Sequence, residues 1–152
     1  MVVTYGYGSQ MMMNHIIPLE NLMEMYKNSV GHNSTFILRI TLDIQGLVPG
    51  PDAKRMMEFG EEIYRQYGYP IAQISGEGKV VNLELENPQK VNQDVLQEDI
   101  IKGERVREFK IQGKVNEKWI NLYEDTSIDP KHIGQFENWK VSPLKVKITK
   151  SV

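Results

Sequence analysis

A short α/β segment running to about residue 70, followed by an all-β sandwich over 71–152, is the fold class this sequence predicts. Three observations carry it. Before residue 70 apolar residues recur twice at spacings of three and four, as on a buried helix face. Beyond it the period falls to two, with Val81, Leu83 and Leu85 alternating with Asn82, Glu84 and Glu86. The remaining chain is a series of short strand-like runs separated by Gly, Asn, Asp or Pro, the spacing of sandwich strands.

Tyr5-Gly6-Tyr7-Gly8-Ser9 reads as a loop, and Met11-Met12-Met13 as a short apolar patch. A helix is predicted over 18–30, with Pro18 at the first helical position, Leu19, Leu22, Met23, Tyr26 and Val30 on one face, and Gly31 as a left-handed C-cap. Thr35–Ile40 is a nearly continuous apolar run, the pattern of a strand covered on both faces. The turn-rich stretch Gln45–Pro51 leads into a second helix from Asp52, whose carboxylate suits the first turn. Met56, Phe59, Ile63 and Tyr67 form its apolar face, Gly68 ends it and Pro70 prevents a restart. Strands are then predicted at 81–85, 91–97, 106–115, 119–123, 133–136 and 144–148. One strand with two helices is half of a layered structure, so residues 1–70 should cap a larger body, or oligomerise, to cover their open faces.

The chain has 18 basic and 20 acidic residues, a net charge of -2, and 40% hydrophobic residues, the balance of a soluble globular protein. No basic excess is present to neutralise phosphates, which argues against nucleic acid and anionic membranes as partners. There is no cysteine, which removes thiolate catalysis, disulfides and zinc–thiolate sites. Met1–Gln10 does not read as a signal peptide, and no run reaches the length of a membrane span, so the compartment stays open. Asn33-Ser34-Thr35 fits the N-glycosylation pattern but abuts an apolar run.

The order of certain residues resembles the C-terminal region of the α-L-fucosidases of glycoside hydrolase family 29. Pro18-Leu19-Glu20-Asn21-Leu22, Tyr26-Lys27-Asn28-Ser29-Val30-Gly31-His32-Asn33-Ser34, Gly46-Leu47-Val48-Pro49 and Gly60-Glu61-Glu62-Ile63 are similar to the last helices and strand of that family's TIM-type barrel. Val95–Ile100, Gly103–Val106, Gly113, Trp119 and Thr126-Ser127-Ile128 are similar to the β-sandwich that follows it. Two places depart from the pattern. The run Leu38–Asp43 replaces an Asn and Pro-Asp turn, and Asp129-Pro130-Lys131-His132 stands where relatives commonly carry Gly-His-Lys-Arg, so no ligand role of that loop is carried over.

The resemblance implies an α/β barrel remnant over 1–70 and a galactose-binding-like sandwich over 71–152. It implies a parent reaction of retaining hydrolysis of terminal α-L-fucose, by an aspartate nucleophile and a carboxyl acid/base that would both lie upstream of Met1. It also implies fucosylated glycans as substrates of the parent, the remaining part of a split barrel as a partner, and a parent family often exported. The chain alone is expected to be inactive, with no catalytic residue of its own; a stand-alone carbohydrate-binding or interaction module is the alternative.

The residues themselves give few chemical candidates. Glu98 and Asp99 are neighbours that would point to opposite faces of a strand, and Glu61 and Glu62 near Arg65 suit an exposed helical ion pair. Asp43 follows the apolar strand at the end where barrel enzymes place their sites, so it is the candidate substrate-lining carboxylate, against a role as a turn former before Gly46. Tyr5 and Tyr7 are candidate pocket-bordering rings. Trp119 is expected in the sandwich core, and Trp139, between Asn138 and Lys140, is the candidate for stacking on a sugar. His15, His32 and His132 show no metal spacing, so neither metal nor other cofactor is expected.

Overall fold

The computed structural model describes residues 16–152, so the Tyr5–Ser9 loop and Met11–Met13 lie outside the described residues. The chain divides into two compact units. One is helical, runs to Pro70 and omits 31–33; the other consists of Gly31–Asn33 with Ile71–Val152.

In the helical unit, α1 spans Leu19–Ser29. Pro18 is its N-cap rather than its first residue, with φ -54° and ψ 145°. That extended geometry suits proline, and the missing N–H is one that a helix start leaves unpaired anyway. Leu22 and Met23 are buried, as their spacing predicts. Gly31 is not the left-handed cap. Val30 closes the helix in right-handed geometry, donating to the Tyr26 carbonyl at 2.9 Å, and the positive φ (59°) falls on Asn33.

Helix α2 covers Gly50–Tyr67, beginning two positions before Asp52 because Pro49 and Pro51 already hold φ in the helical range. Phe59 packs edge-on against Tyr26 and Phe36, with ring centroids 6.1 and 6.0 Å apart. Arg55 is fixed to the Ile17 carbonyl at 2.7 Å. No residue of α2 is fully buried.

The predicted strand at Thr35–Ile40 does not form among the described residues. The segment is extended and alternates, with Phe36, Leu38 and Ile40 half-buried and Ile37 72% exposed. An apolar run becomes a strand only where another edge supplies its backbone hydrogen bonds, and no described strand lies beside this one.

The second unit is antiparallel throughout, consistent with a β-sandwich. Its strands are β1 (Val80–Leu83), β2 (Gln89–Leu96), β3 (Val106–Val115), β4 (Lys118–Asp125), β5 (His132–Val141) and β6 (Leu144–Ser151). One sheet has the order β1-β6-β3-β4 and the other pairs β2 with β5. The β3–β4 hairpin turns on Asn116 and Glu117, both at positive φ (47° and 64°), the two-residue turn whose twist matches the flanking strands. Val106, Phe109, Ile111 and Ile128 form the buried core, with Leu96, Leu122, Tyr123, Leu144, Val146 and Ile148 against it. Gly113 sits in β3 because a Cβ there would fall 2.6 Å from Val141 and 2.9 Å from Leu122.

Irregular pairing of β3 with both its neighbours bears on the site. Irregular pairing between Val106 and Phe109 changes the inward phase of β3. A second, opposite Ile111 and Gln112, pairs Ile111 with Tyr123 and Gln112 with Asn121. It leaves both Leu122 and Tyr123 half-buried and takes Tyr123 and Asp125 together off the outward phase of Trp119 and Asn121, as bulges do when they re-aim side chains. Among the described residues no helix is long and apolar enough to cross a membrane.

Candidate functional site

Within the sandwich unit, His32, Asp125 and His132 come together at one end of β4 and β5. An isolated antiparallel bridge joins His32 to His132, and the Ile133 N–H donates to the Gly31 carbonyl at 2.9 Å. The two imidazoles meet edge to face, 5.3 Å between centroids, with His32 exposed and His132 buried. One donor atom from each of His32, Asp125 and His132 lies within 4.8 Å of the others. Among the described residues this is the arrangement that could hold a metal ion.

Tyr123 organises the group. Its hydroxyl donates to Asp125 Oδ2 at 2.7 Å and lies 3.1 Å from His132 Nε2, while the Thr126 N–H donates to Asp125 Oδ1 at 2.7 Å. Burial alone would raise the Asp125 pKa, but these two hydrogen bonds and the nearby histidines outweigh it and hold the carboxyl below its ordinary range. For His132 burial pulls the pKa down, Asp125 pulls it up and His32 down again, and the balance lies below the ordinary imidazole value. His132 is therefore neutral at pH 7, and its 3.8 Å approach to Asp125 Oδ2 is not an ion pair. Because the one hydroxyl proton of Tyr123 goes to Asp125, His132 donates its Nε2–H to the Tyr123 oxygen and keeps its lone pair on Nδ1. Burial, followed by the hydrogen bond to Asp125, pushes the Tyr123 phenol far above its ordinary value, so it stays a donor.

His32, Asp125, Thr126 and His132 line a small pocket of about 90 Å³ together with Ser127, Ile128, Asp129 and Lys131. Asp129, at φ 55°, accepts from the Ser127 hydroxyl on Oδ2 at 3.1 Å, whereas its buried Oδ1 has no hydrogen-bond partner among the described residues. A buried acceptor left unpaired costs about 1–3 kcal/mol, more for a charged one. Asp94 on β2 is a second such group. Both its oxygens are buried without a hydrogen-bonded partner, apart from a poorly formed contact with its own N–H, and burial pushes its pKa up to about 7. Gly134 faces it, because a Cβ there would collide with Asp94 Oδ1 and lie 2.9 Å from Tyr123.

The candidates from sequence are scattered by comparison. Tyr5, Tyr7 and His15 lie outside the described residues. Asp43 is exposed and closes its own turn, accepting the N–H groups of Gln45 and Leu47 on Oδ1 at 2.8 and 2.9 Å. Trp139 stands on β5, 36% exposed. Trp119 is not in the core. It is 39% exposed, with the Lys145 ammonium 3.9 Å from its ring centre, because its phase on β4 matches outward Asn121 and not inward Ile120 and Leu122. Glu98 is tied to the Arg105 and Val106 N–H groups, and Glu62 to Arg65 and Gln66.

The histidine–aspartate group was missed because no local spacing in the sequence signals it. His32 and His132 meet through a backbone bridge between distant segments, and Asp125 is aimed by a bulge that no periodicity announces.

A helical unit and an antiparallel sandwich bearing a polar pocket define a modular chain. Comparison with solved structures says which modules they resemble. A protein of Bacteroides thetaiotaomicron VPI-5482 assigned as an α-L-fucosidase matches 90% of this chain and 31% of its own, at 42% sequence identity and a TM-score of 0.88. A glycoside hydrolase 29 family member from an unknown rumen bacterium matches 88% of this chain and 26% of its own, at 25% identity and TM-score 0.78. A Ruminococcus gnavus GH29 fucosidase in complex with fucose shares the fold at 21% identity and TM-score 0.79, covering 90% of this chain and 34% of its own. No protein-family model and no curated protein matches the sequence.

The resemblance read from the sequence therefore holds in three dimensions: this chain is built like the C-terminal region of the family 29 α-L-fucosidases. It spans about a third or less of the length of each of these three relatives.

Proposed function

We propose that these residues are the C-terminal part of an α-L-fucosidase, in which the helical unit is the end of a (β/α)₈ catalytic barrel and the second unit a galactose-binding-like sandwich. The match of 90% of this chain to 31% of a 42%-identical relative carries the reading. The exposed apolar residues of the helical unit support it. Ile37, Leu42, Ile44, Leu47, Val48 and Met57 all face solvent, with Ile44 fully exposed, as expected of a surface that a larger body covers.

Retaining hydrolysis needs two carboxyl groups about 5–5.5 Å apart across the scissile bond, one ionised to attack and one protonated to assist departure. Asp43, Glu62 and Glu98 are each engaged by neighbouring backbone or helix partners. That these three are already engaged supports assigning the pair to the remainder of the barrel, and on this reading the chain alone is inactive. The test is hydrolysis of a chromogenic α-L-fucoside by the purified chain, alone and mixed with the protein encoded immediately upstream. Turnover only in the mixture supports the reading; turnover by the chain alone overturns it.

A sugar-binding role without catalysis is the second reading, motivated by the partly exposed ring of Trp139. Its test is a fucose titration followed by tryptophan fluorescence, in which a saturable change abolished by Trp139→Ala supports it and an unchanged signal rules it out.

A further inference from the structure

We propose that His32, Asp125 and His132 form a binding site for a divalent transition-metal ion of the zinc type. The argument starts from geometry. Tetrahedral zinc with bonds of about 2.0–2.2 Å places its ligand atoms roughly 3.3–3.5 Å apart. One donor atom from each of the three residues already lies within 4.8 Å of the others, and His132 Nε2 is 3.8 Å from Asp125 Oδ2, free to ligate once its proton moves from the Tyr123 contact to Nδ1. The remaining closure falls to His32, whose exposed ring can turn without disturbing a packed core.

The other two donors are fixed. His132 is buried on β5, and Asp125 is oriented by the Tyr123 hydroxyl and the Thr126 N–H. Each of these hydrogen bonds leaves a carboxylate lone pair available. Orienting contacts of this kind commonly stand behind metal ligands.

A second observation points the same way. Asp129 lines the same pocket, and its buried Oδ1 has no hydrogen-bond partner among the described residues. A cation or its bound water satisfies such an oxygen. Asp125 and Asp129 together outweigh the positive charge of Lys131 in the pocket wall. Two imidazoles with one carboxylate select zinc, cobalt, nickel or copper over magnesium or calcium, which prefer oxygen alone. Three protein ligands leave a coordination position for water on the open side of the pocket. The ion would join Gly31–Asn33 to β4 and β5, adding to the single backbone bridge at His32.

The test uses the tag-free full chain, stripped with chelator and titrated with zinc chloride by calorimetry and with cobalt chloride by visible absorption. One equivalent should bind with a dissociation constant of about 100 μM or tighter, and cobalt should develop the d–d bands of a nitrogen- and oxygen-ligated site. His32→Ala should weaken binding at least about tenfold while leaving the melting temperature of the metal-free chain unchanged, and Asp125→Asn should do the same to binding. Binding weaker than about 100 μM, or binding as tight in His32→Ala as in the wild type, would overturn the site and leave a hydrogen-bond network only. The outcome is independent of fucosidase activity.

Discussion

The two units solve the problem of burying apolar surface to different degrees. In the sandwich unit Phe109 is 1% and Ile111 3% exposed, and the inward residues of β3, β4 and β6 meet in one core. In the helical unit α2 has no fully buried residue, and the apolar run after α1 alternates half-buried with exposed side chains. Both units draw on similar residue types. What differs is the supply of partners: each sandwich strand finds its edge within the chain, whereas Thr35–Ile40 finds none among the described residues. The contrast teaches that an apolar pattern specifies a demand for burial, and that topology decides whether the demand is met.

The strongest challenge to that contrast is Phe109→Ala, which should cost about 3–5 kcal/mol in urea unfolding of the sandwich. A loss below about 1 kcal/mol would mean that its core is no better packed than the helical surface. Asp94→Asn probes the sandwich from the opposite direction. The Asp94 pKa is raised by burial to about 7, so the folded state holds a proton that the unfolded chain releases above about pH 4. Its contribution is therefore favourable at low pH and is lost as pH rises from about 4 through 7. The asparagine variant should be more stable than the wild type by about 3–4 kcal/mol at pH 8, with the difference vanishing near pH 4.

A smaller effect is expected at the β3–β4 turn. Glu117 holds φ 64°, a conformation natural to glycine, and among the described residues its side chain makes an ion pair with Lys114 that is largely open to solvent. Glu117→Gly should raise stability by about 0.5–1 kcal/mol, measured as a shift in urea midpoint. Smallest of all, Ile37→Ser or Ile44→Ser should change the unfolding of the isolated chain by less than about 0.5 kcal/mol. The same substitutions should weaken any association with the rest of a barrel, so a large effect on the chain alone would mean these side chains are already covered.

How much the sequence disclosed follows the same division. Strand β3 was predicted at the residues where it forms, and both helices within two residues, because period and turn chemistry are local. The Thr35–Ile40 strand was not realised because strand formation depends on an edge that the run itself does not carry. Trp119 was misplaced since alternation gives two phases, and only the register with β3 and β6 decides which faces the core. The His32–Asp125–His132 group was invisible for a related reason: a bulge aims Asp125, and a single bridge between distant segments brings the histidines together.

Amide hydrogen exchange on the intact chain measures the contrast between the units directly. The account predicts that amides of 35–42 exchange within about tenfold of their intrinsic rates, while those of β3 at 106–115 are slowed at least about a thousandfold. Protection of 35–42 comparable to β3 would show that this segment has found a strand partner in the isolated chain, and would contradict the view that the helical unit awaits one.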